Sequence, residues 1–238
     1  MTTTLRRLLA GLALFLTEFA LMLAIGTAGV VVFLLLGRQV LGDGQLDFDE
    51  GAFTWSHQFL GDANRRWVDF ITFLASRNFI IVAALTIIGY FLVLRQHRWY
   101  SLKVPVVALG SITLNLLLKN FYHRPRPLLP LTSASGLSFP SGHAMISASF
   151  YGLLIYLCWR HVENRSLRWL LTLLLATLIL MIGLTRVYLR VHYASDVLAG
   201  FAAGTLWLLI AIPLLNRLEQ AIKRRVRSAP TDSVLPAE

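Results

Sequence analysis

The sequence predicts an all-α, polytopic membrane protein with six transmembrane helices, on three observations. Of its 238 residues, 56% are hydrophobic and 14% are charged, whereas a soluble domain carries about 25% charged residues. The apolar residues are gathered into six runs, each close to the roughly 20 residues that a bilayer requires. None of the runs alternates with period two as barrel strands do, so their backbone groups must be satisfied within helices.

The first span is expected over residues 12–36. Arg6 and Arg7 precede it as in a signal peptide, but the run is too long for one and is read as a retained anchor. Residues 37–69 are too polar to cross. Trp55, Phe59, Leu60 and Trp67 interleave there with polar residues, the pattern of a helix lying at the interface. The second span is expected over 70–94, with a polar break "ASRN" at 75–78 that moves its membrane part toward Phe79. The third covers 101–118 and includes Asn115, a polar residue suited to bonding a neighbouring helix. The fourth, fifth and sixth cover 142–159, 168–186 and 196–215. Residues 1–216 form one six-span domain, and 217–238 a basic cytoplasmic tail that starts helical and ends polar. No internal repeat is evident.

With both termini inside, thirteen of the 22 Lys and Arg residues fall inside and nine outside, the bias expected for that orientation. The net charge of +10 does not point to nucleic acid, because the basic residues sit in short loops between apolar runs. Cys158 is the single cysteine, which excludes an intrachain disulfide, and no Cys/His cluster has zinc spacing.

Three stretches carry polar residues that the spans alone do not require, and this topology puts all three on the outer face. They are "LKNFYHRPRPLLP" after the third span, "FPSGHAM" at the start of the fourth, and "TRVYLRVHYASD" between the fifth and sixth. Taken singly, a cation at a span end is a snorkelling anchor and a Pro-Ser-Gly turn is an N-cap. Together they supply cations, a helix N-terminus, two histidines and a carboxylate, which is what handling a phosphate demands. Arginine forks and a lysine neutralise phosphate oxygens. A helix start with a glycine brings backbone N–H groups close to an anion. A histidine can attack phosphorus, a carboxylate can orient it, and a second histidine can protonate the departing oxygen. His192 and Asp196 are four apart, one helical turn.

These residues resemble the three motifs of the type 2 phosphatidic acid phosphatase family, integral-membrane lipid phosphatases related in fold to vanadium haloperoxidases. A lysine, six residues and Arg-Pro correspond to Lys119, Arg126 and Pro127. Pro-Ser-Gly-His corresponds to Pro140, Ser141, Gly142 and His143. Ser-Arg, five residues, His, three residues and Asp correspond to Arg186, His192 and Asp196, with Thr185 standing where the family has serine. The motifs span residues 119–196, and neither 37–69 nor the tail is covered by one.

The resemblance implies that His192 becomes a phosphohistidine, Asp196 orients it and His143 protonates the leaving group. Lys119, Arg126, Arg186, Ser141 and the Gly142 amide would hold phosphate oxygens. It implies no metal and no cofactor. Arg124 and Arg190 lie off the motif positions and are expected at the interface. The expected activity is hydrolysis of a membrane-lipid phosphate at the outer face of a bacterial inner membrane. Undecaprenyl diphosphate stands first as substrate, then phosphatidylglycerophosphate and phosphatidic acid, with lipid A 1-phosphate hydrolysis or phosphotransfer between lipids as alternatives. A transporter or flippase is disfavoured, because the charges gather at one face and no inverted repeat is present. The intact His143, His192 and Asp196 disfavour an inert lipid-binding relative.

Overall fold

A computed structural model describes residues 3–42, 47–61, 65–94 and 97–228. In chain order its helices are α1 (Thr3–Gly42), α2 (Asp47–Leu60), α3 (Arg65–Phe73), α4 (Arg77–Gly89), α5 (Arg98–Tyr122), α6 (Gly142–His161), α7 (Arg165–Tyr188) and α8 (Ala194–Ser228). A π-helical turn, Tyr90–Leu94, continues α4. Among the described residues there is no strand, and six helices are long and apolar enough to cross a membrane. The expected fold class holds.

The element edges differ from expectation in three places. Helix α1 does not stop at residue 36 but runs six residues further. The interfacial stretch is two helices, α2 and α3, and not one. The second span does not begin at residue 70: the chain leaves the helix after Phe73, and Ser76 caps a new one by accepting the Phe79 N–H at 3.4 Å. That cap lies inside "ASRN", so the polar break marks a helix start. At the other end α8 runs without interruption from the sixth span through Arg217 to Ser228, while residues 229–238 of the expected tail lie outside the described residues.

Helix α6 is the central element. In its N-terminal half every residue from Ala144 to Tyr151 is buried by neighbouring helices, and Phe150 and Leu153 are fully buried. Its closest approach is to α8, where Gly200 and Gly204 are spaced as in a small-residue packing seam. A Cβ on Gly200 would come within 2.7 Å of the Ser141 carbonyl oxygen, and one on Gly204 would overlap the Met145 carbonyl. The two glycines therefore let the start of α6 lie directly on the start of α8. Asn115 of α5 secures the same corner by donating to the Pro140 carbonyl in the loop at 3.2 Å and to Met145 Sδ of α6 at 3.6 Å, the second being the interhelical bond expected of it.

Helix α1 lies outside this core, against α8. Gly29 receives the Leu206 side chain and Gly37 receives the Tyr122 ring. The ends of α5 and α7 and the starts of α6 and α8 meet at one end of the bundle, covered by α2, α3 and the 123–141 loop.

Candidate active site

The site is built on the loop between α5 and α6 and on the turn between α7 and α8. Lys119, in the last turn of α5, donates through Nζ to the carbonyls of Leu137 and Ser138, the latter at 3.2 Å. The Ser138 amide in turn donates to the Arg124 carbonyl at 2.8 Å, folding the loop back over the bundle. Arg126 clamps that fold. Its Nε donates to Gly136 O at 3.0 Å, Nη2 to Ser135 O at 2.9 Å and Nη1 to Val191 O at 2.7 Å. Arg126 thereby ties the first motif to the third.

His192 sits in the α7–α8 turn, where its amide and that of Val191 both reach Arg186 O. Its ring is buried among three partners, Ser138 Oγ also lying 3.4 Å from Nδ1. Nδ1 lies 3.4 Å from Asp196 Oδ2, and Nε2 lies 3.3 Å from Arg126 Nη1. A guanidinium can only donate, so Nε2 carries the lone pair and Nδ1 the proton, directed to the carboxylate. This is the tautomer that a nucleophilic imidazole needs. Burial drives the His192 pKa down to about 4. Asp196 opposes that shift, while Arg126 and Lys119 reinforce it. The ring is therefore neutral at pH 7.

Asp196 is fully buried, and both of its oxygens are occupied. Oδ2 accepts from the Tyr193 amide at 2.9 Å and from the Ser138 hydroxyl. Oδ1 accepts from Arg124 Nη1 at 2.7 Å. The expectation that Arg124 lies at the interface is wrong: its side chain is 1% exposed. Nη1 also donates to Ser195 Oγ at 2.7 Å, Nη2 donates to Asp49 Oδ2 at 3.1 Å, and the guanidinium stacks 4.0 Å from the Tyr193 ring centroid. Asp49, from α2, accepts the Ser195 amide at 2.9 Å and its hydroxyl at 2.8 Å. Asp49, Arg124 and Asp196 thus form a buried chain of alternating charge behind His192. Arg190, by contrast, stacks on the Phe53 ring of α2 at 5.0 Å and is only half-buried.

Arg186 is buried in the last turn of α7, and its Nε has no hydrogen-bond partner among the described residues. A buried, unsatisfied donor on a cation is costly unless an anion completes it. Thr185, the departure from the family pattern, uses its hydroxyl structurally. It donates to Ile182 O and accepts from Thr72 Oγ1 of α3, each at 2.7 Å.

The start of α6 closes the site. Ser141 is a cap, its Oγ accepting the Ala144 N–H at 3.5 Å and its own amide donating to Asp196 O at 2.9 Å. That amide is therefore engaged, and the first-turn amides of Gly142 and His143 carry the anion-binding potential of the helix start. A Cβ on Gly142 would meet Asn115 Oδ1 at 3.1 Å. His143 lies within the electrostatic reach of Arg186, His192, Arg126 and Lys119. It also lines a cavity of about 350 Å³ between α4, α5 and α6, whose other walls include Ile80, Ile81, Leu109, Ile112 and Leu116.

The predicted residues are thus gathered at one end of the bundle. Asp49, Arg124, Ser138 and Ser195 are the members that motif reasoning missed. Arg124 lies two residues before Arg126 and Ser195 is next to Asp196, which is a usable signal, whereas nothing in "LDFDE" distinguishes Asp49 from the surface acids around it.

A family model described as the PAP2 superfamily matches residues 100–220. Phosphatidylglycerophosphatase B of Bacillus subtilis is 33% identical over 156 residues, which cover 65% of this chain and 74% of that protein. An undecaprenyl-diphosphatase-like protein of Escherichia coli is 26% identical over 162 residues, covering 66% of this chain and 77% of the other. The crystal structure of a transmembrane PAP2-type phosphatidylglycerolphosphate phosphatase from Bacillus subtilis superposes with a TM-score of 0.71 at 27% identity. That match covers 84% of this chain and 98% of the other.

Proposed function

The chain belongs to the PAP2 superfamily, and from that premise we propose that it is an integral-membrane lipid phosphatase working through a phosphohistidine. One observation carries the reading beyond phosphate handling in general. His143 stands within the electrostatic reach of the cationic cluster and lines an apolar cavity between helices α4 and α5. A leaving group protonated there would have a hydrocarbon tail, and the cavity supplies the apolar walls that such a tail requires.

In the proposed reaction the phosphate lies among Lys119, Arg126, Arg186 and the amides of Gly142 and His143, which spread its charge. The neutral His192 Nε2 attacks phosphorus, forming an N–P bond as the P–O bond to the lipid breaks. His143 gives its proton to the departing oxygen. Asp196 accepts the Nδ1 proton as a hydrogen bond and balances the positive charge that the ring acquires. Water, deprotonated by His143, then attacks phosphorus, breaks the N–P bond and restores both histidines. The chain's own cations do the charge neutralisation, so no metal is required. Ser141 supports the reaction as the cap that fixes the α6 start.

The substrate class is a membrane-lipid phosphomonoester or diphosphate, with undecaprenyl diphosphate, phosphatidylglycerophosphate and phosphatidic acid as the candidates. The names of the two curated relatives above support the first two. We place the site at the outer face of a bacterial inner membrane and both termini in the cytoplasm, from the loop charges. Phosphate release by the purified protein from a panel of these lipids, with chelator present, tests the reading. Release that persists in chelator and is lost in His192→Ala is expected. Undiminished release by His192→Ala refutes the mechanism, and product appearing only when an acceptor lipid is added indicates phosphotransfer.

A further inference from the structure

The far ends of α5, α6 and α8 enclose a second polar cavity. Seventeen residues of α6 separate His143 from Arg160, about 25 Å at 1.5 Å per residue, so this cavity lies at the opposite end of the bundle from His192. It has a volume of about 440 Å³ and is lined by Tyr100, Lys103, Tyr156, Arg160, Asn216, Glu219, Gln220 and Lys223. A smaller cavity of about 250 Å³ shares Tyr100, Glu219 and Lys223 with it and adds His97 and Arg98. Every lining side chain of the larger cavity carries a polar atom, in contrast to the aliphatic walls beside His143.

The charges there do not balance. Lys103 is 2% exposed, among the largest fully enclosed side chains of the molecule. Its Nζ reaches Glu219 Oε2 at 3.4 Å, beyond the usual range for such a bond. The other oxygen of Glu219 is held by Lys223 at 2.6 Å. One carboxylate is therefore divided between two lysines, with Arg160 beside them and Arg98 in the adjoining cavity. The Tyr100 ring, 4.4 Å from Lys103 Nζ, gives only partial relief. Removing an ammonium from water is costly unless it is well paired. An interhelical ion pair explains Glu219, but among the described residues lining the cavity three cations, Lys103, Arg160 and Lys223, face that one carboxylate, with Arg160 also bonded to Tyr100.

We propose that this cavity is a second anion site, which takes a phosphate-bearing group at the end of the bundle opposite His192. Lys103, Arg160 and Lys223 neutralise the phosphate, while Asn216, Gln220 and the two tyrosine hydroxyls donate to its oxygens. The two sources of such a group are the headgroup of an anionic lipid in the adjacent leaflet and a soluble phosphate. The proposal does not depend on the phosphatase reading.

The test uses full-length protein carrying Arg186→Gln, which weakens phosphate binding at the His192 end, with and without Arg160→Gln and Lys223→Gln. Arg160 and Lys223 are both exposed, so neutralising them spares the packing. In one arm the unfolding midpoint in detergent is followed against inorganic phosphate. In the other, protein from vesicles of phosphatidylglycerol and phosphatidylcholine is exchanged into detergent, and retained lipid is counted by mass spectrometry. The expected result is affinity at least about tenfold weaker in the double variant, in one arm or both. A change confined to retained phosphatidylglycerol identifies a lipid headgroup, and one confined to inorganic phosphate identifies a soluble ligand. A folded double variant that matches its parent in both arms overturns the site. Lys103→Met, which keeps the bulk and removes the charge, provides the second variant and should weaken the same arm.

Discussion

Asp49→Asn is the most informative single change, because it alters one charge and almost no volume in a residue far from the three motifs. Asp49 is 1% exposed and accepts from Ser195 N, Ser195 Oγ and Arg124 Nη2 within 2.8 to 3.1 Å. An asparagine can keep the bond from the Ser195 amide. Its NH₂ must then face Ser195 Oγ or the guanidinium, which is itself only a donor. Removing one partner of a buried ion pair costs about 3–5 kcal/mol. The near-isosteric amide and the remaining carboxylate, Asp196, put this case at the lower end, about 3 kcal/mol. Arg124, released from Asp49, leans its full charge on Asp196 and reduces the support that carboxylate gives to a positive His192 ring. That support matters most as the N–P bond forms, so kcat should fall more than KM. Loss of a group that orients a reacting side chain typically costs about 10–100-fold, or about 1.4–2.7 kcal/mol of barrier. The assay is kcat and KM on a lipid phosphate in mixed micelles, with the melting temperature measured in parallel. The expected result is a folded variant with kcat reduced 10–100-fold and KM changed less than about threefold. A folded Asp49→Asn protein with wild-type kcat, or one affected only in KM, refutes the charge chain.

Four other outcomes follow from the same geometry. His192→Ala should lose at least about 1,000-fold in kcat, and acid-quenched protein should carry no label from a ³²P-phosphate lipid. His143→Ala should slow lipid substrates by about 10²–10⁴-fold but aryl phosphates much less, since a good leaving group needs little protonation; equal losses on both would remove His143 as the acid. The His192 pKa is lowered from 6.5 to about 4, so the folded protein binds fewer protons than the unfolded chain between those values. Its contribution to stability is complete above pH 6.5 and is lost as pH falls toward 4, and the acid limb of kcat/KM should lie nearer 4 than 6.5 in a pH–rate profile. Gly204→Val would drive a side chain into the Met145 carbonyl, whereas Gly26→Val meets only Leu209 at 3.9 Å; the first should lower the melting temperature and abolish activity, and the second should do neither.

By itself the sequence determined the fold class and singled out the candidate reactive groups. Six apolar runs in a bilayer can only be helices, and spacing within a motif survives into the fold because it is local. His192 and Asp196, four apart, stay within 3.4 Å of each other although His192 lies in the turn before α8 and not on the helix, and Ser141 and Gly142 stand where a helix must start. Only the tertiary structure decided what stands behind them. Asp49 and Arg124 are 75 positions apart, and Arg124 and Asp196 are 72 apart, so no local pattern pairs them. A sequence reading assigns an isolated charge to the surface, because burying one alone is prohibitive. Here the cost is offset by partners brought from α2, the 123–141 loop and α8, and that meeting exists only once the helices have packed. The same packing turned the Ser141 amide toward Asp196 and left the Nε of Arg186 open to an anion.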